Sequence, residues 1–146
     1  MLAQILIALG LTAVTVLIHA VGTVLSIRRL TRVVHQRGSR HPMAFVAPTA
    51  MLVTSLLLLS VVEVLVWAAV YSYAGHLPDF ETAVYFSFTS YTTVGYGDVV
   101  LPLGGRLLGP IEGAVGVLMF GWSTGVLVAA ISRMAAALAQ PAADAN

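Results

Sequence analysis

Cysteine and lysine are both missing from the 146 residues, and charge of either sign is scarce, at 9% of positions. Without cysteine there is neither a disulfide framework nor a thiolate metal site. A soluble domain of this size has about a quarter of its residues charged. That deficit, with a hydrophobic content of 59%, marks a membrane protein. No cluster of histidine, serine or carboxylate suggests catalysis, so no enzyme, no cofactor and no nucleic-acid partner is expected.

Three apolar stretches are present, Leu2–Ile27, Ala44–Ala74 and Leu107–Met134. Each exceeds the roughly 20 residues that an α-helix needs to cross a bilayer. The first has no basic segment before it, and its arginines follow the run, so it reads as a retained helix rather than a cleaved signal. Arg28, Arg29, Arg32, Arg37 and Arg40, with His35 and His41, stand in the 28–43 loop without a single acid. By the positive-inside rule that loop is cytoplasmic. The amino terminus and the 75–106 segment then lie outside, and the 135–146 tail inside. A multi-pass protein of a cell inner membrane or plasma membrane follows.

His41-Pro42 and Pro48 bracket the start of the second helix, where proline is tolerated. Gly75-His76-Leu77-Pro78 closes it. Asp79 reads as an N-cap, with Glu81 favouring the positive helix start. Residues 80–91 are too short and too polar to span, and fit a re-entrant half-helix packed inside protein. Its carboxyl end would present the negative end of its dipole to a cation. Residues 92–98 then read Thr-Thr-Val-Gly-Tyr-Gly-Asp. Gly95 and Gly97, spaced by two, free an extended backbone to turn successive carbonyls one way. A ring of such carbonyls replaces the water around a potassium ion. Thr93, Val94, Gly95 and Tyr96 are the expected coordinating residues, with the Thr93 hydroxyl adding oxygens at the inner end. Gly97 and Asp98 shape the outer mouth, and Thr92 bonds to neighbouring filter backbone. Tyr96, rather than an acid, between the glycines points to potassium over a non-selective pore.

From Met51 to Met134 the chain resembles the potassium channel pore-domain family of simple bacterial type. Gly105-Arg106 followed by Gly116, and the segment Gly116-Val-Leu-Met-Phe-Gly121, carry a second match. The resemblance implies an all-α membrane fold: outer helix 44–74, pore half-helix 79–91, filter 92–98 and inner helix 104–134. Residues 1–27 form an additional helix. Tyr85, Phe86 and Thr89 stand where relatives commonly have paired tryptophans and, in some, a glutamate. The Tyr85 hydroxyl is expected to reach Asp98 in place of a tryptophan–aspartate tie. No arginine-bearing voltage sensor and no cytoplasmic ligand-binding module is expected.

Gly116 and Gly121 are hinge candidates, against a reading in which the glycines of the third helix serve close packing. His19 and Glu63 are ionisable groups within apolar stretches and regulatory candidates on that ground. One reading joins them in a proton-sensitive contact between the extra helix and the pore. The other, preferred, has each satisfied separately, with histidine neutral on a carbonyl. Glu112 reads as a structural acid at a subunit boundary. The basic loop sets topology, with anionic lipid head groups as a second reading.

A four-sided carbonyl cage needs four loops and this chain has one, so identical subunits assemble as a homotetramer around K+. The expected function is passive, potassium-selective conduction. The alternatives are a non-conducting or regulatory pore subunit, or a potassium-translocating subunit of an uptake transporter.

Overall fold

A computed structural model of the chain describes residues 2–37 and 42–139. It holds four α-helices: α1 Leu2–Arg37, α2 Val46–Tyr73, α3 Phe80–Tyr91 and α4 Leu108–Ala139. A 3-10 turn, Pro42–Phe45, leads into α2. There is no strand among the described residues. Helices α1, α2 and α4 are long and apolar enough to cross a membrane.

Local chemistry explains the boundaries. Pro48 and Pro110 each fall in a first turn, where the missing amide has no intrahelical partner to lose. Helix α2 stops at a Schellman closure. Gly75, at φ +65°, donates to the Ser72 carbonyl, and the His76 amide returns to Tyr71 at 3.0 Å. Hydroxyls within the long helices bond back to carbonyls one turn earlier, as in Thr12 to Ala8, Ser55 to Met51 and Thr124 to Phe120. Where lipid offers no water, that arrangement satisfies a polar group without a partner helix.

Three boundaries lie more than two residues from expectation. The first helix does not end at Ile27 but continues to Arg37, so Arg28, Arg29 and Arg32 lie on helix rather than in a loop. Neither glycine nor proline occurs between Ile27 and Arg37, and arginine is a good helix former. Hydropathy marks where the chain leaves the apolar layer, not where the helix ends. The last helix begins at Leu108 rather than 104, because Gly104 and Gly105 are used in a turn closed by the Gly105 amide on Pro102. It runs on through Ala139, so the first part of the expected tail is helical. Arg40, His41 and residues 140–146 lie outside the described residues.

The core forms where α3 sits among the long helices. Trp67, Ala68 and Tyr71 of α2 meet Ala83, Phe86 and Tyr91 of α3 and Val115 and Met119 of α4. Ala8 and Leu11 join from α1. Alanine at 68 and 83, both fully buried, lets the short helix approach closely. Gly22 of α1 does the same against Leu59 of α2, where a Cβ would strike the leucine side chain. By contrast, Leu6, Leu17, Leu57, Leu58, Leu118 and Val128 are exposed on the single chain. An apolar surface of that extent suits lipid and neighbouring copies, not water.

Candidate functional site

Helix α3 aims its carboxyl end at the Thr92–Asp98 segment. Its start is fixed by Asp79, whose Oδ1 accepts the Thr82 amide at 2.7 Å and whose Oδ2 accepts the Thr82 hydroxyl at 3.0 Å. The amide contact holds the Asp79 carboxyl below the usual carboxylate range. At the other end the Thr92 amide bonds Phe88, the Thr93 amide bonds Ser90, and the Gly95 amide reaches back to the Thr89 carbonyl at 3.0 Å. The Thr92 hydroxyl also turns back, donating to the Phe88 carbonyl, so it fastens helix end rather than filter backbone as expected.

Beyond Thr92 the backbone is left-handed at every second residue. Thr93, Gly95 and Gly97 have φ of +60°, +51° and +80°, while Val94 and Tyr96 do not enter positive φ. Such alternation turns successive carbonyls to one side of the chain. For threonine, a β-branched residue, the left-handed region is an outlier at a strain of roughly 1–3 kcal/mol, a kind of strain that clusters at ligand clamps. This freedom was expected of the glycines alone; the spacing by two, extended one step back, reaches Thr93. Carbonyls 93–97 accept no hydrogen bond from the described residues. All seven residues of the segment are exposed on the single chain, Tyr96 to 73%.

The flanks are tied. The Tyr85 hydroxyl donates to Asp98 Oδ2 at 2.8 Å, and Asp98 Oδ1 accepts the Val99 amide at 3.1 Å. Gly109, Gly113 and Gly116 form one stripe of α4 against α3. A Cβ on Gly109 would lie 3.0 Å from the Phe86 ring, and one on Gly113 would lie 3.0 Å from the Ser90 carbonyl. At Gly116 a Cβ would run into the Tyr91 carbonyl itself. Of the two hinge candidates, Gly116 is thus a contact point with α3, and Gly121 has open space around it. Between α3, the segment and α4 opens a cleft of about 620 Å³, lined by Phe86, Thr89, Thr93, Gly95, Arg106 and Val117 among others.

Two fully buried glutamates, Glu63 and Glu112, hold α3 through side chains one turn apart, Tyr91 and Ser87. Glu63 of α2 accepts the Tyr91 hydroxyl and lies 2.9 Å from His19 Nδ1. His19 Nε2 is 3.2 Å from the Ser123 hydroxyl, so α1, α2, α3 and α4 meet in one chain of polar contacts. The structure brings His19 and Glu63 together, contrary to the reading in which each is satisfied separately. Glu112 of α4 accepts hydroxyls from Tyr71, at 2.7 Å, and Ser87. It therefore sits inside the protomer rather than at a subunit boundary. Sequence reasoning missed Tyr91, Ser87, Tyr71 and Ser123 as partners. Their only signal is general: a buried acid requires donors, and those hydroxyls fall within apolar elements.

Three apolar helices around a short one, ending in an exposed segment of alternating hand, define a multi-pass helical membrane protein of channel type. A family model described as ion channel matches residues 59–133, just over half of the chain. The chain belongs to this ion channel pore-domain family, whose role is transport. Searches of curated proteins and of solved structures return no match.

Proposed function

We propose that the chain is one quarter of a homotetrameric, potassium-selective channel that conducts passively. The observation that carries this reading is the alternation of hand at Thr93, Gly95 and Gly97, with the amides of Thr93 and Gly95 turned back onto α3. Those two donors are spent on the protein, and the carbonyls of 93–97 are left for a cation. Carbonyls of Thr93, Val94, Gly95 and Tyr96 replace the ion's hydration shell, and repulsion between adjacent ions keeps binding weak enough for exit. The carboxyl end of α3 adds a negative dipole end beneath them. Tyr85, Asp98 and Gly97 hold the outer mouth.

Fourfold assembly is supported by the exposure of Val94, at 51%, and Tyr96 on the single chain. Such side chains want cover, and cyclic symmetry brings both the cover and three further carbonyl columns. Helix α3 re-enters the membrane from the outer face. The amino terminus lies outside, the arginine-rich end of α1 and the carboxyl terminus face the cytoplasm, and the membrane is a cell inner or plasma membrane.

Purified chain reconstituted into vesicles tests this directly. It should pass K+ in clear preference to Na+, be blocked by Ba2+ and cross-link to four copies. Equal K+ and Na+ flux, or a dimeric limit on cross-linking, rejects it. A regulatory subunit would assemble yet give no flux alone.

A further inference from the structure

A second cavity lies far from the filter, where the arginine-bearing end of α1 approaches the last turns of α4. It has a volume of about 280 Å³, near the lower end of the roughly 300–1,000 Å³ that small-molecule sites occupy. Its walls are apolar: Leu30 and Val34 of α1, Phe45 of the 3-10 turn, and Val126 and Ala130 of α4. Arg133 also lines it. The rise from Val126 to Arg133 along the helix is about 10 Å.

The charge around it is of one sign. Arg28, Arg29, Arg32 and Arg133 are exposed and make no ion pair among the described residues. No Asp or Glu occurs in residues 1–62 or 113–139. An apolar slot with an unpaired guanidinium about 10 Å along from its floor complements an acyl chain beneath a phosphate.

We infer that this groove is a binding site for an anionic phospholipid of the inner leaflet, with one acyl chain between α1 and α4 and its phosphate on Arg133. Basic pockets between membrane helices on the cytoplasmic side recognise such head groups. An occupant there joins the extra helix to the inner end of α4, so lipid composition bears directly on the helix that lines the pore. The inference rests on the membrane placement proposed above, and not on which ion is conducted.

The test uses the full chain reconstituted in an equimolar mixture of phosphatidylcholine and phosphatidylglycerol. Lipid retained after extraction is counted by mass spectrometry. Wild type should retain phosphatidylglycerol in excess. Arg133→Gln should cut that excess about fivefold, the effect of one interfacial arginine. Ala130→Phe, filling the middle of the slot, should lower retention of both lipids. Arg32→Gln, outside the groove, should change the excess far less. An unchanged excess in Arg133→Gln, or an equal fall in Arg32→Gln, overturns the site in favour of diffuse attraction. So does displacement of phosphatidylglycerol by inorganic phosphate, which would mark a free-anion site. A change of oligomeric state in Ala130→Phe would mark a contact between copies instead. Should that variant fail to fold, the exposed Arg133 substitution still decides. Ion flux is read separately: its failure with lipid retention intact counts against the proposed function and leaves the groove standing.

Discussion

A Cβ at Gly116 would strike the Tyr91 carbonyl, whereas one at Gly121 meets nothing within 4 Å. Gly116→Ala should therefore lower stability by about 1–3 kcal/mol through overpacking. Gly121→Ala should leave the melting temperature unchanged or raise it, because alanine favours helix by about 1 kcal/mol. Thermal unfolding of the two variants in one detergent checks the pair. Tyr91→Phe removes a donor from buried Glu63 and should cost about 1–3 kcal/mol. In the background of Glu63→Gln that loss should shrink, and a double-mutant cycle reads the difference. Asp79 supplies a pH dependence. Its carboxyl is held below the usual range by the Thr82 amide, so its support of α3 is complete above the ordinary carboxylate range and is lost as pH falls through the lowered value. The Thr82 amide resonance should titrate at that lowered value; movement at the ordinary carboxylate pH would contradict the cap.

At the scale of elements, α1 shows how hydropathy and helix length separate. Its 36 residues span about 54 Å, well beyond the ~30 Å apolar layer. Spin labels placed singly from residue 28 to 37 should show mobility with a 3.6-residue period, lowest at Leu30 and Val34; a steady rise would mean the helix ends earlier. The cap of α3 and the Gly75 closure of α2 were legible because each depends on a few adjacent residues. The Thr92–Asp98 segment was legible for the same reason. The face Glu112 presents was not: it depends on the rotation of α4 about its axis, which Gly109, Gly113 and Gly116 set by packing on α3. Long-range pairs such as Trp67 with Thr15, at 3.0 Å, were hidden likewise, since no local rule relates residues 52 apart.

For the whole molecule, the proposed function links stability to the ion through the unengaged carbonyls of residues 93–97. An assembly that binds K+ when folded gains stability with K+ concentration, and Na+ gives less. The melting temperature of the reconstituted oligomer should rise on replacing Na+ by K+ at constant ionic strength. No difference would mean that the carbonyls do not prefer K+ over Na+. The faces that meet in an assembly, unlike its expected stoichiometry, were not legible in the sequence. Exposed leucines on α1, α2 and α4 can meet lipid or a second copy equally well, and only the exposed Tyr96 and Val94 favour protein cover at the pore end.

The polar meeting point at Glu63 also bears on how the protein is made. Synthesis proceeds from the amino terminus, so His19 enters the bilayer before the acid, and Tyr91 and Ser123 emerge from the ribosome after it. A lone carboxyl in a nascent hydrophobic segment is hard for the insertion machinery to release into lipid. The leading helix therefore carries, in His19, the partner of that carboxyl that is synthesised first.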